Sequence, residues 1–446
     1  MVRTIVVACW AAALLALALL YATLHPAQAE AQVTGSADWQ LAPLGGPVLR
    51  LFARADGAVY ARTEDGLFRS ANGTSWGPVG LPPSGVNPRT RQVEVDPTGR
   101  AALYASGEEG LYKSTDDGAS WSLLLPTERH VQRIAASPAD PALVYLALVG
   151  APATSGDFWF LRSHDGGASW QQLEEHHNSL CGWGVPILLP HPTEPGRVFR
   201  AANCLAGRNF GDALWHSPDR GGTWSRVFGA TSLDAADPQL AYPARLVGGR
   251  GSAPARYYLA ANRDARFGGS TLLRSDDDGR TWTAVLAFRG GGVSDRPEAP
   301  SLTLGGLAYD PDRPDRVYVA VNVSTGDATA RTPTGSGLKA SANGGTTWTD
   351  LDGPDLGVAN DLALAVDGRA LYLATDRGSG GCGSTASRRG RRCRCRARPG
   401  NPRSSGCGGW TLLSPRGTPV LCAGGPRSEA VGLALRCGLI SAVRGP

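Results

Sequence analysis

The sequence predicts an all-β fold, a seven-bladed β-propeller of four-stranded antiparallel blades. Three observations predict it: an eight-residue pattern that recurs along most of the chain, short β-type runs on both sides of each copy, and two more strand-like runs upstream in each unit. The octapeptide S-x-[D/N]-x-G-x-[S/T]-W is read at Ser114, Asp116, Gly118 and Trp121, and at Ser163, Asp165, Gly167 and Trp170. It returns at Ser217, Asp219, Gly221 and Trp224, at Ser275, Asp277, Gly279 and Trp282, and at Ser341, Asn343, Gly345 and Trp348. A copy one residue short runs from Ser70 to Trp76.

Each residue type in the pattern has a task in a tight turn. Asp or Asn accepts hydrogen bonds from backbone N–H groups two residues on, Gly takes a positive φ, and Ser adds a second local bond. The Trp buries a large apolar face. Runs such as Gly110-Leu111-Tyr112-Lys113 stand before a copy and runs such as Trp121-Ser122-Leu123-Leu124 after it, so the octapeptide is a hairpin turn joining strands 3 and 4 of its unit. Upstream, 92–96 and 101–106, or 307–310 and 316–321, supply strands 1 and 2. Successive serines lie 44 to 66 residues apart, the length of a blade.

Six such units end near Asp352. A seventh begins with 358–366 and 370–375 and then loses the pattern, because Thr375-Asp376-Arg377-Gly378 leads into Ser379-Gly380-Gly381-Cys382 and an Arg-rich tract. At the other end, Asp38-Trp39-Gln40-Leu41 looks like the strand that follows an octapeptide but has none before it. The last blade is therefore expected to be incomplete or closed by the N-terminal strand, which removes exposed sheet edges.

Strand direction places all octapeptides on one face of the ring. The added length falls mainly in 2–3 connections (150–157, 205–212, 263–269 and 324–337) and in the 4–1 connections 174–184 and 289–298, which project from the opposite face. That long-loop face is the expected binding surface.

These residues resemble the Asp-box, or BNR, repeat of the superfamily of sialidase-like, sortilin-like and oligoxyloglucan-hydrolase-like β-propellers. The stretches Asp310-Pro311-Asp312-Arg313-Pro314-Asp315-Arg316-Val317-Tyr318 and Ser137-Pro138-Ala139-Asp140-Pro141-Ala142-Leu143-Val144-Tyr145 look most like the latter two groups. The resemblance covers about residues 38 to 377. It implies a propeller and says little of function, since the repeat is a structural element in each of these groups.

Charge divides the chain. The net +5 conceals a tail, residues 378–446, with 12 Arg against the single acid Glu429, so that the region from Glu30 to Arg377 stands at −7. A nucleic-acid partner therefore does not follow from the whole-chain charge. Arg3, the apolar run from Ile5 to Leu20 and Pro26-Ala27-Gln28-Ala29 read as a secretory signal over residues 1–29, leaving no membrane span after cleavage and placing the chain outside the cytoplasm. The expected organisation is then a signal (1–29), a propeller (30–377) and an Arg-, Cys- and Gly-rich tail (378–446). The tail reads as disordered, as a polyanion binder or as the product of a shifted reading frame. Cys181 and Cys204 both map to the long-loop face of the fourth unit, where a disulfide between them is expected.

Candidate chemistry is sparse. Sialidase-type chemistry needs an arginine cluster, and Val48-Leu49-Arg50-Leu51-Phe52 offers Arg50 without the Ile-Pro of that group's first arginine motif. Other glycosidases need two facing carboxylates, for which Asp361, near the start of an inner strand, and Glu174, Glu175 or Asp295 in long connections are the candidates; the alternative is that all four are solvated loop acids. Trp183 and Trp159 are candidate stacking platforms, with core packing the alternative for Trp159 and its neighbour Phe158. His176-His177 with His191 lacks ligand spacing and reads as surface histidines, so no metal and no cofactor is expected. The expected function is a secreted, monomeric binding or scaffold module for a protein or a glycan (His176 and the two tryptophans at the site), and the alternative is a sialidase-like or xyloglucanase-like glycoside hydrolase.

Overall fold

The computed structural model describes residues 39–376 except 46, 65, 84–91, 151–156, 177–186, 203–212, 230–240, 250–254, 264–269, 289–300, 327–330 and 352–356, and beyond them the strands Thr411–Leu413, Pro419–Leu421 and Val431–Gly438. The fold is an all-β propeller. Blades 1 to 6 occupy 48–79, 93–126, 130–176, 187–228, 241–288 and 301–351, each a sheet of four consecutive antiparallel strands ordered from inner to outer as the chain runs.

The expected ring of seven like blades is corrected here: six blades of this kind are present, not seven. After Asp376 the sequence no longer supplies a strand, an octapeptide and a second strand in succession. The inner pair Ala359–Leu364 and Ala370–Thr375 instead enters a composite sheet, in which Ala370–Thr375 pairs with Val431–Gly438 and that strand pairs with Trp39–Gly45 from the start of the chain. The sheet is thus neither a repeat unit nor left short of strands.

The second strands Val59–Thr63, Val144–Val149 and Ala370–Thr375 are buried along their whole length. A blade is covered by a neighbour on each face, so both sides of its middle strands must be apolar. Val144-Tyr145-Leu146-Ala147-Leu148-Val149 accordingly runs as an unbroken apolar stretch.

The octapeptides form the 3–4 turns. In blade 3 the Ser163 hydroxyl accepts from the N–H groups of Asp165 (3.2 Å) and Gly167 (2.7 Å) and donates to the Asp165 carboxylate (2.7 Å). Asp165 also accepts from the Ser169 N–H at 2.8 Å and hydroxyl at 2.5 Å. The same set recurs around Asp116, Asp219 and Asp277, and Asn343 reproduces its backbone part. The glycine does more than turn the chain. At Gly167 (φ 100°) a Cβ would lie 2.3 Å from Leu124 of blade 2, at Gly221 2.8 Å from Leu173 of blade 3, and at Gly345 2.8 Å from Val285 of blade 5. Each turn therefore seats against the blade before it, a role beyond the positive φ read from sequence.

The 1–2 turns repeat a second device. The first residue after the inner strand caps the turn with its side chain: Asp96 accepts from the Thr98 N–H, Ser137 from the Asp140 N–H, and Asp310 from the Asp312 and Arg313 N–H groups. In blade 4 the post is held by His191, whose Nδ1 accepts from the N–H groups of Thr193 (3.2 Å) and Glu194 (3.0 Å). His191 is 2% exposed, which corrects its reading as a surface histidine. The expected 2–3 connection 324–337 is also corrected. Val317–Gly326 and Arg331–Ser341 pair as far as Gly326 and Arg331, so most of that span is an extended hairpin.

Candidate functional site in the central channel

A shared irregularity of the inner strands builds the site. Register shifts fall between Val48 and Arg50, Val131 and Arg133, Pro243 and Arg245, Leu304 and Gly306, and Ala359 and Asp361. An extra residue in one strand re-aims the side chain that follows it. Four of the five residues so placed are charged (Arg50, Arg133, Arg245 and Asp361), and all four line one cavity of about 390 Å³ on the propeller axis. Glu94 joins them from blade 2, and Pro97, Pro138, Pro192 and Pro311 of the 1–2 turns form the end of the cavity nearer the octapeptides.

Two of the charges are fixed by partners. The Asp361 carboxylate accepts from the Arg245 guanidinium, from the Leu51 N–H at 3.0 Å and from the Leu362 N–H at 2.9 Å. Arg245 donates a second time to the Asn360 carbonyl. Glu94 and Arg50 stand 3.4 Å apart, without hydrogen-bond geometry at the sealed Oε2 of Glu94. Burial, opposed by Arg50 and Arg133, pushes the Glu94 carboxyl above its ordinary value. The Arg133 guanidinium has no ion pair or hydrogen bond among the described residues, and its Nε is sealed from solvent. Burial first, and then repulsion from Arg50 and Arg245, lower it to about 9.

The residues singled out from sequence are dispersed. Asp361 lies in the cavity. Glu174 is on the outer strand of blade 3, paired with Arg200 at 2.7 Å. Glu175, on the same strand, accepts from the Trp159 indole N–H at 2.6 Å and from Gln172 at 2.8 Å. Trp159 is 5% exposed and carries the Arg129 guanidinium over its ring at 3.7 Å, so it packs in the core as the alternative for it held. The backbone of His176 ends that outer strand; its side chain, together with Trp183, Asp295, Cys181 and Cys204, lies outside the described residues. Of the described candidates, neither Glu174 nor Glu175 is brought to Asp361. Sequence reading missed Glu94, Arg133 and Arg245. For Arg133 and Arg245 the signal was a position shared by the inner strands, Leu49-Arg50-Leu51, Gln132-Arg133-Ile134, Ala244-Arg245-Leu246, Gly305-Gly306-Leu307 and Asn360-Asp361-Leu362, while Glu94, in Val93-Glu94-Val95, lies outside it.

No family model matches the chain. A xyloglucanase from a Paenibacillus species is 27% identical over 248 residues, which are 50% of this chain and 22% of that enzyme. Among solved structures, the GH74 xyloglucanase of Xanthomonas campestris superposes with a TM-score of 0.51 at 18% identity, over 77% of this chain and 53% of that one. The GH74 enzyme of Niastella koreensis gives 0.50 at 16%, with the same coverage. The chain shares their β-propeller fold. It spans about a fifth of the curated relative and about half of each solved structure, and at these identities the structural likeness concerns the fold alone.

Proposed function

We propose that this chain is an extracytoplasmic, glycoside-hydrolase-like β-propeller that acts on a β-linked glucan of the xyloglucan type, with Glu94 as proton donor to the departing oxygen. The observation that carries this reading is the sequence similarity to a xyloglucanase over 248 residues. The chemistry of the channel supports it. A general acid must hold its proton near neutral pH, and burial shifts Glu94 in that direction. Glycosidic cleavage also needs a second carboxylate, and Asp361 lines the same cavity on a rigid inner strand. In this scheme the Glu94 proton passes to the glycosidic oxygen as its bond to the anomeric carbon breaks. Asp361 faces the charge that develops at the anomeric carbon; water then adds to that carbon and gives a proton to the ionised Glu94, which restores the acid. The octapeptide is assigned as an Asp-box turn, residues 1–29 as a cleaved signal, and the propeller as a monomer.

The test is release of reducing ends from xyloglucan oligosaccharides by the full chain. Release that falls about 100-fold or more in Glu94→Gln supports the scheme. No release from any β-glucan by the folded protein, or equal release by the variant, overturns it. A second reading, glycan binding without cleavage, is favoured by the pairing of Glu174 with Arg200 and of Asp361 with Arg245, which occupies two of the expected catalytic acids. It predicts that oligosaccharide binds and is recovered intact.

A further inference from the structure

The channel holds three guanidinium groups against two carboxylates. Arg245 is joined to Asp361 and Arg50 stands beside Glu94, while Arg133 has neither ion pair nor hydrogen bond among the described residues. All five side chains line the same cavity, of about 390 Å³. Arg133 is half-buried; its sealed Nε is an unsatisfied donor, which costs free energy, and the rest of its guanidinium opens to the cavity. The bulge at Val131/Arg133 nevertheless holds this side chain toward the channel axis. A cavity of this volume accommodates one small molecule with a planar anionic group, and the rigid planar fork of Arg matches a carboxylate.

We propose that Arg133 forms a carboxylate-binding site in the central channel, taking the acid group of a uronic-acid sugar or of a small organic acid. The site does not depend on the hydrolytic scheme, since it requires no turnover. With Glu94 ionised one positive charge is in excess and with Glu94 protonated two, so the lining favours an anion in either state. Glu94 faces Arg50 on blade 1, Arg133 on blade 3 and, on its own blade, Asp96, while Arg245 and Asp361 complete the surroundings of Arg133. An incoming anion lies near Glu94 and is repelled by its ionised form. Binding therefore strengthens as Glu94 takes up a proton and, by linkage, an occupied site keeps Glu94 protonated.

The experiment is calorimetric titration of the full chain with glucuronate, acetate and glucose in a buffer free of other carboxylates, at pH 5 and pH 8. Saturable binding of glucuronate, tighter at pH 5 and absent for glucose, is expected. Acetate binding as tightly as glucuronate identifies the organic-acid source, and a preference for glucuronate identifies the sugar. Arg133→Met should weaken binding about 10- to 100-fold, with circular dichroism and melting behaviour reporting whether it folds. Glu94→Gln, which keeps the shape and removes the competing charge, should bind more tightly and lose the pH dependence. No carboxylate binding to the wild type, or weaker binding to Glu94→Gln, overturns the proposal.

Discussion

Arg245 of blade 5 donates to the Asp361 carboxylate of the composite sheet, although blade 6 lies between them in the ring. At that level the inner strand of blade 6 carries Gly306. A Cβ there would lie 2.8 Å from the Leu362 side chain and 3.0 Å from the Asp361 carbonyl carbon. Asp361 also accepts from the Leu51 N–H of blade 1, and Asn360 donates to the Val48 carbonyl at 2.8 Å. One carboxylate thus ties the composite sheet to blade 1 and, across blade 6, to blade 5.

Gly306→Val should destabilise the fold by about 1–3 kcal/mol, the usual cost of forcing volume into a packed contact. The clash falls on backbone, which cannot swing away as a side-chain tip can. Thermal melting with a folded-state spectrum at 20 to 25 °C checks this. An unchanged midpoint would show that blade 6 does not press on Asp361.

Asp361→Asn should cost about 1–3 kcal/mol, below the full penalty of breaking a buried pair because Arg245 keeps 32% of its side-chain surface exposed. Adding Arg245→Met to it should recover part of the loss, since the stranded cation is then gone. A double-mutant cycle from urea melts measures the coupling, and strictly additive losses would contradict the bridge.

The octapeptide contacts give an ordered series. Ser163→Ala leaves the Asp165 and Gly167 N–H groups without their acceptor and should cost about 1–3 kcal/mol. Gly167→Ala should cost about 1–3 kcal/mol from its positive φ alone and more from the contact with Leu124. Asp165→Asn should melt above Asp165→Ala, because Asn343 already fills that post in blade 6. Melting temperatures of the four variants test the order.

Two groups of residues set the acid limb of stability. His191 and His216 are lowered from 6.5, mainly by burial. Each is held neutral in the folded chain, so its contribution is complete above pH 6.5 and is lost as pH falls through the lowered value. Asp116, Asp219 and Asp277 are lowered from 3.8 to about 2, with hydrogen bonds from their own turns opposing desolvation. Their contribution is present above pH 3.8 and is lost toward pH 2. Melting temperature should therefore fall in two stages. His191→Asp, which installs the residue found at this post in blades 2 and 6, should shrink the first stage and leave the second. An identical pH profile for that variant would contradict the capping role of Nδ1.

The repeating part of the fold was legible because every unit states it again. Ser163, Asp165, Gly167 and Trp170 encode a turn by local hydrogen bonding, and local rules need no knowledge of distant chain. The blade count was not legible. The partner of Ala370–Thr375 is Val431–Gly438, from a stretch of different composition, and nothing local to either strand announces the pairing. The channel charges were hidden for a related reason. Alternation along Val48–Ala53 or His130–Ala136 does not reveal a one-residue bulge, and the bulge decides that Arg50 and Arg133 face the axis rather than a neighbouring blade. Asp361 was found because its place on an inner strand could be read from the unit count alone.

The reading of the channel as a glycan-cleaving site rests on Glu94, and initial rates of reducing-end release from xyloglucan oligosaccharides test it most directly. The prediction is measurable release by the full chain, with an alkaline limb, set by loss of the Glu94 proton, that lies above the ordinary glutamate range, and release falling about 100-fold or more in Glu94→Gln. Equal release by Glu94→Gln, or none by the folded wild type, would contradict it.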